Sequence, residues 1–224
     1  MFIRMYSTKL LKALIASFVL VIGYYTFGQA EYFDRLFVGV LLSLLIVNYV
    51  TKDINFIGVL LILLFERLSE ELFYFSMNAE YIKVISYCVI FLVLYWLRYD
   101  KLALRLAIPR FFITVCAELY WFSISYDAPV VQYPLMLLIL NLLTRYLIIN
   151  RIPYTEKIIE ADAGTHALDW PMYNIAKVFV YIISASLIEY LVRHLTPFTP
   201  LYIYKTYPFA THLLTVVSMA YIVQ

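Results

Sequence analysis

Long apolar stretches separated by short polar ones constrain the fold of this chain more than any other feature. A helix needs about 20 mostly apolar residues to cross the hydrocarbon core of a membrane. Only 14% of the 224 residues are charged and the mean hydropathy is +0.84, which leaves too little polar surface for a water-soluble domain. We therefore expect an all-α, polytopic integral membrane protein in a lipid bilayer. The eight candidate spans are residues 10–28, 36–51, 54–76, 82–98, 102–126, 130–149, 173–195 and 207–223.

The number of spans has one alternative. The third candidate carries several charges in its second half, and the eighth ends almost at the C-terminus. A seven-span arrangement that removes one of these two therefore stays open.

The distribution of basic residues predicts an orientation for the eight-span arrangement. With the N-terminus in the cytoplasm, 12 of the 17 Lys and Arg residues fall on the cytoplasmic side. Such an excess is typical of cytoplasmic loops. Both termini are thus predicted to be cytoplasmic, in a membrane of the bacterial inner-membrane type. The net charge of +2 and the lack of a basic tract argue against nucleic acid as a partner.

A weak internal repeat suggests how the spans are organised. The stretch ELFYFS begins at Glu71 and returns as ELYWFS at Glu118, 47 positions later, and a further shift of 71 places Glu118 on Glu189. Parallel repeats are a known way to build membrane proteins. We predict a single transmembrane domain, residues 1–224, made of four tandem hairpins. The hairpins are residues 10–51, 54–98, 102–149 and 173–223, with residues 151–172 inserted as a cytoplasmic acidic loop.

The repeat gives three intramembrane carboxylates a similar place. Glu71, Glu118 and Glu189 each lie near the outer end of an outward-running helix. Charged groups at such positions usually face the protein interior or a wet cavity, and rings of carboxylates suit cations or protons. The alternative is structural, with each carboxylate either reaching the outer water or bonded to a Ser, Tyr or Asn on a neighbouring helix.

The third candidate span has the highest density of charge. Arg67 can pair with Glu70 at i+3 or with Glu71 at i+4 on one helix face. Glu66 lies deeper and has no obvious partner on its own helix. It is expected either to bind a proton or to form an interhelical hydrogen bond, for which Asn141, Asn48 or a tyrosine hydroxyl is a candidate.

Sequence motifs for enzymatic activity are lacking. The chain has no GxSxG, no HExxH and no Gly-rich phosphate loop, so no catalytic residue, metal site or cofactor is expected. The Glu70–Glu71 pair is similar to the paired glutamates of the CAAX-protease and bacteriocin-immunity family. That family has an arginine where Phe75 stands, and His194 and His212 do not follow its histidine pattern. The similarity therefore implies no activity here.

The longest polar stretch runs from Arg151 to Tyr173 and reads RIPYTEKIIEADAGTHALDWPMY. It holds four acidic residues against two basic ones. Thr155 is expected to cap a short helix that ends at Gly164. The stretch is either a solvated cytoplasmic loop or a surface that binds a cytoplasmic protein. The candidate docking residues are Glu156, Glu160, Asp162, His166 and Asp169.

Three functions remain after these observations. The favoured hypothesis is a non-enzymatic membrane subunit that oligomerises or senses the state of the membrane and couples to a cytoplasmic partner. The second is a cation or proton channel or transporter that uses the intramembrane glutamates. The third is an intramembrane enzyme. A homo-oligomer is compatible with all three.

Overall fold

The computed structural model describes residues 2–76, 80–127, 130–159 and 162–223. Within these ranges every regular element is helical, which confirms the all-α prediction. The helices are α1 (Phe2–Tyr25), α2 (Ala30–Thr51), α3 (Ile54–Ser76), α4 (Glu80–Trp96), a π-helical turn (Ala103–Ala107), α5 (Ile108–Ser123), α6 (Gln132–Ile149), α7 (Arg151–Ile159), α8 (Asp169–Leu195) and α9 (Tyr202–Ile222).

Each of the eight apolar segments overlaps a helix. Three helical stretches in the described part of the chain are long and apolar enough to cross a membrane. They are Tyr32–Thr51, Gln132–Ile149 and Asp169–Leu195. Two further apolar helical stretches, Ala13–Tyr25 and Tyr81–Trp96, are shorter. The length and apolar composition of these helices indicate a protein that associates with a membrane.

Short polar turns separate the helices, and side-chain caps fix two helix starts. The carboxylate of Asp53 accepts a hydrogen bond from the N–H of Phe56 at 3.1 Å, so that it caps α3. The carboxylate of Asp100 accepts from the N–H groups of Leu102 at 2.8 Å and Ala103 at 3.0 Å. Aspartate is favoured at this position because its oxygen satisfies N–H groups that have no partner within the helix.

The π-helical turn at Ala103–Ala107 lies directly before Pro109. The N–H of Ile108 bonds to the carbonyl of Ala103, five residues back. Proline has no N–H and its ring disturbs the preceding helical turn. A wider turn at this place gives room for the ring without ending the helix.

The helix predicted within the insertion differs from α7 in its bounds. It was expected to begin after a cap at Thr155, but α7 begins at Arg151 and Thr155 is buried inside it. Pro153 then lies in the first turn, where a missing N–H has no helical partner to lose. For that reason the proline does not delay the helix. The structure ends α7 at Ile159, before the Gly164 that was expected to stop it.

The chain forms two compact units. The first comprises Met1–Leu64, Ile148–Ile175 and Pro208–Gln224. Within this unit α1 and α9 approach so closely that a Cβ added at Gly23 would collide with Val216. The ring of His212 donates a hydrogen bond from Nε2 to the carbonyl of Gly23 at 2.7 Å. The hydrophobic core of the first unit includes Phe33, Phe37, Leu41, Val59, Leu60, Leu63, Ile148, Leu168, Met172, Val216 and Met219.

The second unit comprises Phe65–Leu147 and Ala176–Tyr207. Most of α6 is buried within the protein, and Leu138 and Leu142 are fully buried there. Trp121 is also buried, and its indole N–H donates to the carbonyl of His194 at 3.4 Å. Almost all of the charged residues that the sequence assigns to the membrane lie in this unit.

Candidate functional sites

The second half of α3 holds an ion pair surrounded by tyrosines. Arg67 Nη1 lies 3.1 Å from Glu70 Oε2, which is one of the two pairings that the sequence spacing predicts. Tyr133 and Tyr207 both interact electrostatically with Glu70. Both partners of the pair are largely buried, with side-chain exposures of 12% and 28%. Glu70 is therefore neutralised by its own helix rather than left open for a ligand.

Glu66 lies one turn earlier on α3 and is 7% exposed. It shares a hydrogen bond with the side chain of Thr144 on α6, and the charges of Arg67 and Glu70 act on it. Asn141, one candidate partner from the sequence, is also buried, but its amide donates to the carbonyl of Leu137 on its own helix at 3.0 Å. Its Oδ1 has no hydrogen-bond partner among the described residues.

Glu118 on α5 is paired with Lys83 on α4. The hydroxyl of Tyr87 also donates to Glu118 Oε1 at 3.4 Å. The side chain of Glu118 is 15% exposed and that of Lys83 is 43% exposed, so this pair reaches the protein surface on the lysine side. Glu118 therefore links two consecutive helices of the second unit.

Glu189 has a different role, because it binds the start of α9. Its two carboxylate oxygens accept hydrogen bonds from the N–H groups of Ile203 at 2.8 Å and Tyr204 at 2.7 Å. These N–H groups lie in the first turn of α9 and have no partner within the helix. A carboxylate there also complements the positive end of the helix dipole. Glu189 thus connects α8 to α9 in place of a local cap.

The three repeated glutamates consequently have different partners. Glu118 binds a lysine and a tyrosine, Glu189 binds backbone N–H groups, and Glu71 is half-buried near the end of α3, close to Tyr133. The prediction that the three form one ring at a common depth stays a prediction. What the geometry adds is a structural role for two of the three.

In the first unit, Arg151 connects the inserted segment to its surroundings. Its Nε and Nη2 donate to the two carboxylate oxygens of Asp169 at 2.9 and 2.8 Å. Nη2 also donates to the carbonyl of Gly164 at 2.7 Å. The Arg151 side chain is 1% exposed, and its aliphatic part lies against Gly58 of α3. This bidentate geometry is specific to arginine and carboxylate.

Further contacts attach the segment to α3. The N–H of Gly164 donates to Asn55 Oδ1 at 2.7 Å, so that both backbone groups of Gly164 are bonded. The ring of His166 stacks on Phe56 with 5.2 Å between centroids, and its backbone N–H donates to Asp169 Oδ2 at 2.8 Å. Residues 162–169 are therefore held in one conformation against α3 and α7.

The five candidate docking residues fall into distinct groups. Glu156 and Asp162 are exposed. His166 is half-buried by its contact with Phe56, and Asp169 is occupied by Arg151. Glu160 lies outside the described residues. Of the described residues predicted for docking, only two therefore present an acidic side chain to solvent.

Sequence reasoning missed the residues that organise these sites. Arg151 and Arg145 belong to the basic excess from which the sequence predicts orientation, yet both are buried, and Arg145 pairs with Asp100. Lys83 and Thr144 were not singled out. The partners in these pairs lie far apart in the sequence, so no local spacing could have revealed them.

In the described part of the chain, no group of three or more His, Cys, Asp or Glu side chains is placed to hold a metal ion. Comparison of the chain with protein-family models, with curated proteins and with solved structures finds no match.

Proposed function

We propose that the chain is a non-enzymatic, multi-pass subunit of a bacterial-type inner membrane, and that its inserted segment, residues 151–172, binds a cytoplasmic protein. The membrane part has eight spans arranged as tandem hairpins, with both termini in the cytoplasm. The observation that carries the proposal is the set of bonds around Arg151, which hold residues 162–169 in place while Glu156 and Asp162 stay exposed.

The surface of the helices supports the membrane part of the proposal. Large apolar side chains are exposed along α2 and α4, including Ile46 at 67%, Val50 at 76% and Leu92 at 64%. A water-soluble protein rarely exposes continuous apolar surface of this kind. The excess of basic residues on one side then sets the orientation.

The inserted segment supports the docking part. A buried arginine is unusual in a simple connecting loop, because moving a guanidinium out of water costs several kcal/mol. The hydrogen bonds that it forms must recover a free energy of about the same size. Here that cost is offset by the bonds to Asp169 and Gly164. A fixed backbone loses little conformational entropy on binding, which favours its use as a recognition surface.

The conducting alternative has less support from the geometry. Glu118 and Glu189 are engaged by Lys83 and by the start of α9, and Glu70 is engaged by Arg67. Carboxylates committed to such partners hold helices together and have fewer lone pairs for a moving ion. Glu66, with its Thr144 bond, and the half-buried Glu71 are the residues through which this alternative would act.

The docking surface can be tested by neutralising its exposed acids. We expect the variant Glu156→Gln/Asp162→Asn to insert normally and to lose the proteins that the wild type retains after cross-linking in native membranes and purification in detergent. Loss of two exposed charges weakens electrostatic complementarity without disturbing the Arg151 contacts. Quantitative mass spectrometry of the purified complexes measures the loss.

The matched control is Asp127→Asn, which removes an exposed carboxylate outside the inserted segment. It is expected to retain the same proteins as the wild type. Equal recovery from the double variant and the control would refute a docking role for Glu156 and Asp162.

A further inference from the structure

Two basic residues, Arg98 and Lys101, lie between α4 and the π-helical turn, and a third, Arg105, lies within that turn. We call the three together the basic turn. All three are exposed. Lys101 and Arg105 are four residues apart and so lie on the same side of their helix. In the part of the chain that the structure describes, neither is paired with a carboxylate.

Arg98 is held in place by aromatic rings. Its guanidinium lies over the ring of Tyr95 at 4.3 Å and over that of Tyr99 at 4.7 Å. Stacking of this kind fixes the plane of the guanidinium. Because the group has five N–H donors, donors remain for an acceptor approaching from solvent.

Asp100, the acidic residue between Arg98 and Lys101, has partners outside the basic turn. Asp100 pairs with Arg145, which is buried, and its carboxylate also accepts from the N–H groups of Leu102 and Ala103. Its charge is therefore balanced by a fourth cation and by the helix start. The three exposed cations keep a net positive charge, which an external anion can neutralise.

The surroundings of the basic turn identify the kind of anion. Apolar side chains on α4 directly precede it, with Phe91 53% exposed and Leu92 64% exposed, and Trp96 is 44% exposed between the two regions. Aromatic rings of this kind prefer the depth of lipid headgroups. The surface thus continues from cations to exposed hydrocarbon, as an amphiphile would require.

We propose that the basic turn binds the headgroup of an anionic phospholipid, with its phosphate on Arg98, Lys101 and Arg105 and its acyl chains along α4. Basic residues beside a membrane helix attract anionic lipids in this way. The proposal rests on α4 crossing the membrane, but it does not depend on the binding of a cytoplasmic protein.

The test uses the full chain reconstituted in phosphatidylcholine vesicles that contain either brominated phosphatidylglycerol or brominated phosphatidylcholine. Bromine quenches tryptophan fluorescence on contact, so that Trp96 reports the lipid at the basic turn. Trp170 is replaced by Phe to remove a second exposed reporter, and Trp121 is buried. We expect the basic turn of the wild type to prefer the anionic lipid over phosphatidylcholine by a factor on the order of five.

Three variants separate the basic turn from overall charge. In the triple variant Arg98→Gln/Lys101→Gln/Arg105→Gln, the preference for the anionic lipid over phosphatidylcholine should fall below a factor of about two. Lys101→Gln/Arg105→Gln, which keeps the stacked Arg98, should retain part of it and guards against misfolding of the triple variant. The matched control Lys52→Gln/Lys157→Gln/Lys205→Gln removes the same charge at exposed sites elsewhere and should keep the full preference.

Raising the salt to about 1 M should weaken the wild-type preference, since screening shortens the range of surface electrostatics. Inorganic phosphate at equal ionic strength should not displace the lipid. The proposal would be overturned by a triple variant that keeps the preference, by an equal loss in the control variant, or by displacement with inorganic phosphate. A wild type without any preference would overturn it as well. None of these results depends on the capture of a cytoplasmic protein.

Discussion

At the scale of single residues, the contact between Arg151 and Asp169 joins a buried cation to a partly exposed carboxylate in the first unit. The guanidinium is 1% exposed, whereas the carboxylate is 22% exposed. We expect Asp169→Ala to destabilise the unit by about 3–5 kcal/mol, because it leaves a buried cation whose remaining partner among the described residues is the Gly164 carbonyl. The free energy of unfolding in detergent, followed by the fluorescence of the adjacent Trp170, measures this effect.

Asp162→Ala provides the control, since it removes an exposed carboxylate from the same segment. Its effect should stay within about 0.5 kcal/mol, as is usual for surface substitutions. Similar values for the two variants would show that the Arg151 contact does not hold the segment.

At the scale of elements, the contact between α3 and α7 depends on a glycine. A Cβ at Gly58 would lie 2.9 Å from Thr155 Oγ1 and 3.1 Å from Arg151 Cδ. We expect Gly58→Ala to destabilise the protein by about 1–3 kcal/mol, because the added methyl group pushes the two helices apart. Thermal unfolding in the same detergent checks this value.

Gly39 in α2 is the matched control, because nothing lies within 4 Å of a Cβ built there. Gly39→Ala should be neutral or stabilising by about 0.5–1 kcal/mol, since alanine restricts the unfolded chain and favours a helix. A Gly58→Ala variant as stable as the wild type, or equal destabilisation by the two substitutions, would contradict the close approach of α3 and α7.

Elements of this kind were predictable where the signal was continuous. The apolar segment 54–76 coincides with α3 because its first half is almost entirely apolar and Asp53 caps its start. The early start of α7 was not predictable, since Pro153 indicates a break except in the first turn of a helix. The π-helical turn before Pro109 likewise has no periodic signal in the sequence.

At the scale of the whole molecule, the sequence indicates a membrane protein but does not reveal its contacts. The pairs Arg145–Asp100 and Arg151–Asp169 join residues 45 and 18 positions apart, which depends on how helices pack rather than on local spacing. The repeat predicts equivalent positions for Glu118 and Glu189, yet their partners differ. Two segments built from the same few apolar residue types can therefore be similar in sequence and still make different contacts.

The topology of the whole chain can be tested with single cysteines, after Cys88 and Cys116 are replaced by Ala. An impermeant maleimide should label Asp127→Cys and Thr199→Cys in intact cells, whereas Thr51→Cys, Lys101→Cys and Asp162→Cys should react only after permeabilisation. The physical reason is that most basic residues of the eight-span arrangement lie on one side and resist translocation. All five positions are exposed, so a missing signal reflects the membrane rather than burial.

The pair Thr51 and Lys101 decides the number of crossings between them. With α3 and α4 both crossing, the two positions share a side, whereas a chain in which α3 does not cross would place them on opposite sides. This comparison matters because α3 is not among the three helical stretches that are apolar enough to cross by composition alone. Its charged second half contains the Arg67–Glu70 pair, and neutralisation within that pair is what would allow α3 to enter the bilayer. Labelling of Lys101→Cys but not Thr51→Cys in intact cells would show that only one of α3 and α4 crosses, and would rule out the proposed eight spans.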